Sequence, residues 1–247
     1  MKKIYSHIGK YMLLMQQVCS KPERLAIYRI RIVQEIDKIG VQSVGIVALL
    51  SAFMGAVITL QTAANIDSAW VPRWTIGYTT RQSLILEFSS TIMSLILSGK
   101  VGSNIASEIG TMRITEQIDA LDIMGVNSAS YLILPKIIAA MLIFPFLVVI
   151  SMFLGIAAGA LIGPGSGVIS LTDYISGIQI YFEPFQVTYT LIKSVVFAYI
   201  ITSVSGYHGY YTKGGALQVG ESNTRAVVYS IILIMISNYI ITQLLLL

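Results

Sequence analysis

Residues 99–126 read GKVGSNIASEIGTMRITEQIDALDIMGV, a polar and charged stretch that lies between two long apolar runs. The whole chain of 247 residues is 55% hydrophobic and only 11% charged, with a mean hydropathy of +0.76. A typical soluble domain carries about 25% charged residues, so this chain has too few charges to cover a globular surface. Most of its surface must therefore face lipid. Residues 99–126 are exceptional because they are polar enough to lie in water.

Five apolar segments of this chain are long enough to cross a bilayer, which takes roughly 20 helical residues. This pattern predicts an all-α integral membrane protein, with a membrane domain over residues 41–247 and a polar loop over residues 100–131. We expect the five membrane-spanning helices at residues 41–62, 79–99, 132–162, 186–207 and 224–247.

Residues 1–40 combine apolar residues at helical spacing with flanking Lys and Arg residues. Such a pattern is typical of amphipathic helices that lie on a membrane surface, so we predict an N-terminal interfacial helix here. A helix that packs on a soluble partner is the alternative interpretation.

Lysine and arginine residues set the predicted orientation, because cytoplasmic loops of membrane proteins carry an excess of both. Eight of them lie in residues 1–40, three in residues 100–136 and two in residues 208–225. The loops of the opposite side hold Arg73 and Arg81. This distribution predicts a cytoplasmic N-terminus, a cytoplasmic loop between the second and third spans, and a C-terminus beyond the membrane.

The second half of the quoted stretch predicts a short helix over residues 116–124. Thr115 is a suitable N-cap, and Gly125 fits the position that follows a helix C-terminus. A helix of this length is marginal in water, so it needs a docking surface. That surface is either the rest of this chain or a cytoplasmic partner.

Two blocks of the sequence resemble one known family. The quoted stretch is similar to the signature loop of the MlaE-type permeases, and IKSVVFAYIITSVSGYHGYYTKGGALQVGESNTRAVVYS at residues 192–230 extends the similarity. These permeases are membrane subunits of bacterial ABC transporters that work with MCE-domain proteins to move phospholipids. The resemblance therefore implies a permease subunit of a lipid transporter.

The resemblance also implies a setting for the chain: a multi-pass protein of the inner membrane, a homodimer, a periplasmic C-terminus and a role in the lipid asymmetry of the outer membrane. It implies cytoplasmic ATPase subunits that bind ATP and Mg²⁺, a periplasmic MCE-domain protein as partner, and no cofactor in this chain. Residues 104–126 would contain a coupling helix that sits in a groove of the ATPase. The residues expected at this contact are Glu108, Arg113, Glu116, Gln117, Asp119, Leu121 and Asp122.

The sequence departs from the family pattern just before the loop. Where members carry a run such as R-E-L-G-P, residues 86–90 of this chain read LEFSS. The glutamate remains as Glu87, but its basic neighbour is absent, together with the glycine and proline that favour a helix irregularity. We therefore expect a regular helix here.

Two ionisable residues, Glu87 and Lys193, fall well inside predicted spans. Charges inside a membrane are costly and usually face a cavity or one another. Both residues lie roughly 10–12 Å deep from the same face, at about 1.5 Å per residue, so they can form a pair. We hypothesise that they line a lipid cavity, where they either meet the lipid phosphate or hold a gate at the dimer interface. The alternatives are that Lys193 snorkels to the interface and that Glu87 is a protonated structural carboxyl.

Gly155, Gly159 and Gly163 recur every four residues in the third span. Small residues at this spacing let membrane helices approach closely. We predict a helix-packing face, used within the subunit or at a dimer seam.

No catalytic or metal-ligating constellation is present in the sequence. There is no phosphate-binding loop of the Walker type, no nucleophilic triad, no dinucleotide fingerprint and no basic patch for nucleic acid, and Cys19 is the single cysteine. We therefore predict a non-enzymatic subunit. The alternatives to an ATP-driven permease are a proton-coupled secondary transporter that uses Glu87, and a non-transporting scaffold for an MCE assembly.

Overall fold

The computed structural model describes residues 2–20, 25–66 and 70–246, and in these ranges every regular element is helical. Three π-helical segments interrupt longer helices, at Asp37–Val41, Leu84–Ile92 and Ser98–Gly102. The α-helices are α1 Lys2–Cys19, α2 Leu25–Ile36, α3 Gln42–Asn65, α4 Trp74–Ser83, α5 Met93–Leu97, α6 Ser103–Ile114, α7 Gln117–Ile123, α8 Ser128–Gly165, α9 Leu171–Gln179, α10 Pro184–Tyr210 and α11 Ala216–Leu246.

Five continuous helices in the described ranges are long and apolar enough to cross a membrane, which confirms the predicted all-α, five-span membrane fold. They extend beyond the predicted spans, because hydropathy marks where a helix leaves the lipid rather than where its backbone hydrogen bonds stop. Their bounds are Tyr28–Asn65, Trp74–Ile114, Ser128–Gly165, Pro184–Tyr210 and Ala216–Leu246.

The second long helix differs most from the prediction, since it continues far past residue 99 to Ile114. Residues 103–114, expected in a loop, therefore form α6. The first long helix begins at Tyr28, inside the predicted N-terminal region, so α2 runs into the first span rather than forming a separate surface helix. The interfacial position of α1 stays a prediction.

The chain divides into two compact units. The first comprises Met1–Gln42, Leu95–Ile143 and Val195–Leu247, and the second comprises Ser43–Ser94 and Phe144–Ser194.

In the first unit, α6 packs closely on α10 and α11 because small residues lie at the contacts. A Cβ added to Gly209 would lie 2.8 Å from the carbonyl oxygen of Ala106, and one added to Gly110 would lie 3.2 Å from the side chain of Val219. This tight packing holds α6, the helix that directly precedes α7, in a fixed position.

In the second unit, α3 and α8 approach with almost no side chain between them. A Cβ added to Gly55 would overlap the carbonyl oxygen of Gly155. One turn away, the hydroxyl of Ser51 donates a hydrogen bond to that of Ser151, 2.8 Å apart. Such contacts between small residues are how membrane helices associate without a hydrophobic driving force.

Candidate functional site

The short helix α7 begins differently from the prediction. The hydroxyl of Thr115 donates to the carbonyl oxygen of Thr111, 2.8 Å away, so Thr115 does not cap α7. Instead, Glu116 adopts the left-handed conformation, with φ of 60°, at the junction between α6 and α7. The predicted N-cap was wrong, because a threonine hydroxyl readily bonds to a carbonyl one turn back in its own helix.

The end of α7 has the geometry that its sequence suggested. Gly125 has a φ of 77°. Its N–H donates to the carbonyl of Asp122 (3.0 Å), and the N–H of Val126 donates to that of Leu121 (3.1 Å). This pair of bonds is a Schellman motif, which satisfies the last carbonyls of a helix and needs a residue that tolerates positive φ.

Two contacts anchor α7 to the first unit. Ile118 is completely buried. Asp119 accepts a hydrogen bond from Arg113 on α6, 2.7 Å away, and the Arg113 guanidinium lies 6.0 Å from the ring centre of Tyr210 on α10. A helix of seven residues would not persist alone in water, so these contacts supply part of its docking surface.

The opposite face of α7 is open. Ile123 and Met124 are 87% and 68% exposed, although both are large and apolar. Of the residues expected at an ATPase contact, Glu116, Gln117 and Asp122 are exposed beside them. The remaining expected residues are half-buried, and they are Glu108, Arg113, Asp119 and Leu121.

Glu108 belongs to an ion-pair network within the first unit. The ammonium of Lys136, on α8, lies 2.9 Å from Glu108 and 2.8 Å from Glu35 on α2. Lys38, in the first π segment, lies 3.7 Å from the other oxygen of Glu108. The Lys136 side chain is only 4% exposed, so it depends on these carboxylates to balance its buried charge.

Sequence reasoning missed this network, apart from Glu108. The available signal was Lys136 itself, a lysine inside the apolar run of the third predicted span. An ionisable residue inside an apolar span usually pairs with another charged residue or with a backbone carbonyl. The sequence could not indicate which carboxylate lies beside it.

The structure brings Glu87 and Lys193 together in the second unit. The Lys193 ammonium donates to Glu87 (3.1 Å) and to the carbonyl oxygen of Leu86 (3.0 Å), and it lies 4.8 Å from the ring centre of Tyr189. Thr91 donates to the second oxygen of Glu87, 2.9 Å away. The Lys193 side chain is fully buried, whereas that of Glu87 is 44% exposed, so the carboxylate is the group that this pair presents outward.

The helix around Glu87 is irregular, contrary to the expectation from the sequence. Residues Leu84–Ile92 form a π-helix although glycine and proline are absent from this stretch. A π segment shifts the backbone register within a helix and often occurs at functional sites. Here it includes Leu86, whose carbonyl oxygen accepts from Lys193.

Arg81 contributes to the predicted orientation, and the structure shows that it is also a buried cation. It is 1% exposed, and its guanidinium donates to the carbonyl oxygens of Ile178, Ile180 and Tyr181 at 2.6–3.1 Å. These carbonyls belong to the C-terminal end of α9 and the turn that follows it. Arg81 therefore fixes α9 to α4, through contacts that its position in the sequence does not indicate.

The three spaced glycines of α8 all lie at close contacts within the second unit. Gly155 faces Gly55, and a Cβ added to Gly159 would overlap the hydroxyl of Tyr174. One added to Gly163 would lie 2.8 Å from the side chain of Ile169. This geometry supports a packing role inside the subunit.

The chemistry of these sites is that of ion pairs and packing. In residues 2–20, 25–66 and 70–246, no group of three His, Cys, Asp or Glu side chains is placed to hold a metal ion. A five-span helical membrane protein with a half-buried ion pair inside its spans fits the class of membrane transporter subunits, in which such charges mark substrate pathways.

Comparison with known proteins assigns the chain within that class. The family model described as Permease MlaE matches residues 32–244, so the chain belongs to the MlaE permease family. It is 38% identical over 242 residues to a probable ABC transporter permease protein of Rickettsia bellii, covering 98% of this chain and 93% of the relative. A protein of the same description from Synechocystis is 36% identical over 211 residues, which cover 85% of this chain and 80% of the relative.

One relative, from a plant, is named after a lipid. The chloroplastic protein TRIGALACTOSYLDIACYLGLYCEROL 1 of Arabidopsis thaliana is 34% identical over 210 residues, which are 85% of this chain and 60% of that protein. The chain is accordingly a multi-pass membrane permease subunit of the ABC transporter type.

Proposed function

We propose that this permease moves phospholipids, driven by a separate ATPase that grips α7. The proposal rests mainly on one observation, which is that one side of α7 is buried and the other is exposed. One side is anchored by buried Ile118 and by the Arg113–Asp119 ion pair, while the other exposes Ile123 and Met124. The exposed apolar side chains and the acidic residues beside them form a surface to which a partner can bind. Because the other side of α7 is anchored, movement of that partner would displace the rest of the chain.

The path from α7 into the membrane domain follows from the contacts of α6. This helix carries Arg113, which holds α7, and Glu108, which joins the network around Lys136. Lys136 lies on α8 and also contacts Glu35 on α2. A displacement of α6 would move Glu108 relative to Lys136, and so would alter a contact that joins α2, α6 and α8. We infer that closure of the ATPase is transmitted by this rigid-body route.

Lipid as substrate is supported by the plant relative's name and by the Glu87–Lys193 pair. The exposed carboxylate of Glu87 is the part of the pair that would line a cavity, and buried Lys193 would hold it in position. Lys193 would meet a lipid phosphate only when the pair opens. This modifies the initial hypothesis, in which both side chains line the cavity.

The remaining features of the proposal come from the family resemblance and the charge distribution. The protein would lie in the inner membrane as a homodimer, with a cytoplasmic N-terminus and a periplasmic C-terminus. A periplasmic MCE-domain protein would exchange lipid with it, and the ATPase would bind ATP and Mg²⁺. Helix α11 exposes most of its surface and leaves room for a second copy.

The proposal is tested by co-expression with the ATPase of the same transporter. We expect Ile123→Asp combined with Met124→Asp to abolish co-purification of the ATPase and ATP-dependent lipid transfer in proteoliposomes. Leu217→Asp, which alters another large exposed side chain (76%), is the matched control and should change neither. Full ATPase retention and full lipid transfer by the double variant would refute the proposal.

The same proteoliposomes separate the alternatives. Lipid transfer that follows a proton gradient without nucleotide would identify a secondary transporter. Normal lipid flux with the α7 sequence scrambled would support a scaffold.

A further inference from the structure

A cleft in the first unit is not used by the proposed transport function. It has a volume of about 740 Å³ and lies between α1, the C-terminal end of α10 and the N-terminal half of α11. This volume is within the roughly 300–1,000 Å³ that is common for small-molecule sites. The cleft shares no residue with α7 or with the Glu87–Lys193 pair.

The walls of the cleft are held in place by direct hydrogen bonds. Ser222 on α11 donates to the carbonyl oxygen of His208 on α10, 2.6 Å away, and Thr212 donates to Ser222, 2.9 Å away. His7 on α1 shares a hydrogen bond of 2.8 Å with the hydroxyl of Tyr207. The cleft is therefore preformed, and α1 contributes one of its walls.

The lining changes from polar to apolar along the helices. Lys213 lies in the loop that connects α10 to α11, and Arg225 lies nine residues after the first residue of α11, about 13 Å along the helix at 1.5 Å per residue. Leu233 lies eight residues beyond Arg225, about 12 Å further along α11 at 1.5 Å per residue. Val204 lines the corresponding part of α10. The cleft thus has a cationic mouth and an apolar interior, which are complementary to an anion with a hydrocarbon tail.

The charge at the mouth is only partly balanced by the protein, because Glu221 lines the cleft beside Lys213 and Arg225. Arg225 is paired with Glu221 at 3.2 Å, and both side chains are mostly exposed. Lys213 has no carboxylate partner among the described residues. The histidine at position 208 stacks on Tyr229, with ring centres 5.3 Å apart, so the wall beside these charges is flat and aromatic.

The cleft is also open on its apolar side. Leu233 and Ile8 line it, and they are 41% and 52% exposed. The hydroxyl of Tyr11, another lining residue on α1, donates a hydrogen bond to Ser203 on α10, 2.9 Å away, and so helps to hold α1 in place. A ligand could therefore enter from the bilayer without passing through water.

We propose that this cleft binds one anionic phospholipid of the surrounding bilayer, with its phosphate beside Lys213 and Arg225 and an acyl chain beside Leu233. The lipid is a resident ligand that holds α1 against α10 and α11. Basic residues near a membrane surface attract anionic lipid headgroups. The site makes the position of α1 depend on the lipid composition of the leaflet.

Native mass spectrometry of the delipidated full-length chain tests the proposal, with phosphatidylglycerol and phosphatidylcholine of matched acyl chains as probes. We expect wild type to retain one phosphatidylglycerol in preference to phosphatidylcholine. Lys213→Gln combined with Arg225→Gln should weaken retention on the order of tenfold, the loss expected from removing charge contacts near a membrane surface. Lys10→Gln removes an exposed charge of α1 outside the cleft and should have no effect.

A second pair of variants examines the apolar end. Leu233→Trp should reduce retention of phosphatidylglycerol by obstructing the tail, whereas Met235→Trp, on an exposed position of the same helix, should not. Hydrogen exchange in α1 should slow when phosphatidylglycerol is added to wild type, and this slowing should be lost in the charge variant.

Several outcomes would overturn the proposal. Equal retention by wild type and the charge variant would do so, as would equal loss in the Lys10→Gln control. Displacement by millimolar inorganic phosphate, with no difference between the two lipids, would assign the cleft to a free phosphate compound. Because Glu87→Gln leaves the cleft intact, it should retain phosphatidylglycerol normally even if the transport proposal fails.

Discussion

At the scale of single residues, the Glu87–Lys193 pair is unequal in burial, and this determines which partner matters more for stability. Glu87→Ala leaves a fully buried ammonium with a carbonyl as its remaining hydrogen-bond acceptor. Breaking a buried pair in this way costs about 3 kcal/mol in the free energy of unfolding. Lys193→Met leaves a carboxylate that is 44% exposed, so we expect a smaller cost, about 1 kcal/mol.

Thermal unfolding of the two variants in the same detergent checks this order. The combination of Glu87→Gln with Lys193→Met removes both charges and serves as the control, with a melting temperature above that of Glu87→Ala. A larger loss for Lys193→Met than for Glu87→Ala would contradict the burial seen in the structure.

At the scale of helices, the contact between α3 and α8 depends on the absence of a side chain at Gly55. The methyl group of Gly55→Ala would overlap the backbone of Gly155, which cannot rotate away as a side chain can. We expect a loss of about 1–3 kcal/mol in the free energy of unfolding, as for other overpacked cores.

Gly45→Ala is the matched control on the same helix, because a Cβ there meets nothing within 4 Å. It should be neutral or slightly stabilising, since alanine is the better helix former by up to about 1 kcal/mol. Equal melting temperatures for the two variants would show that α3 and α8 are not closely packed in the protein.

The end of α7 depends on the positive φ of Gly125 in the same way. Gly125→Ala should cost about 1 kcal/mol, because a left-handed conformation is strained for a residue with a Cβ. We expect faster hydrogen exchange over residues 117–126 and weaker coupling between ATP hydrolysis and lipid transfer. Gly99→Ala, where a Cβ has open space, should change neither measurement.

At the scale of the whole molecule, the predicted orientation places α7 and α9 on opposite sides of the membrane. In a Cys19→Ser background, Ile123→Cys should react with a membrane-impermeant maleimide only from the cytoplasmic side, and Leu171→Cys only from the periplasmic side. The labelled chain is expressed without the ATPase, and both native side chains are exposed, so access is limited by the bilayer alone. Labelling of both positions from the same side would exclude the five-span topology.

The sequence by itself determined the membrane class, the five spans and the end of α7. These features depend on properties that lie along the chain: runs of apolar residues, the spacing of small residues, and a glycine at the position of a positive φ. The excess of Lys and Arg in particular loops predicts orientation for the same reason, since each loop can be assessed separately.

The tertiary structure alone decided how the charges are balanced. Lys193 and Glu87 are 106 residues apart in the chain, and Lys136 is 101 residues from Glu35. Hydropathy identifies such buried charges as exceptional, but it cannot name their partners, because a partner is set by which helices pack together. The same holds for Arg81, whose acceptors are backbone carbonyls without any sequence signature, and for the cleft beside α1, which exists only once three helices have assembled.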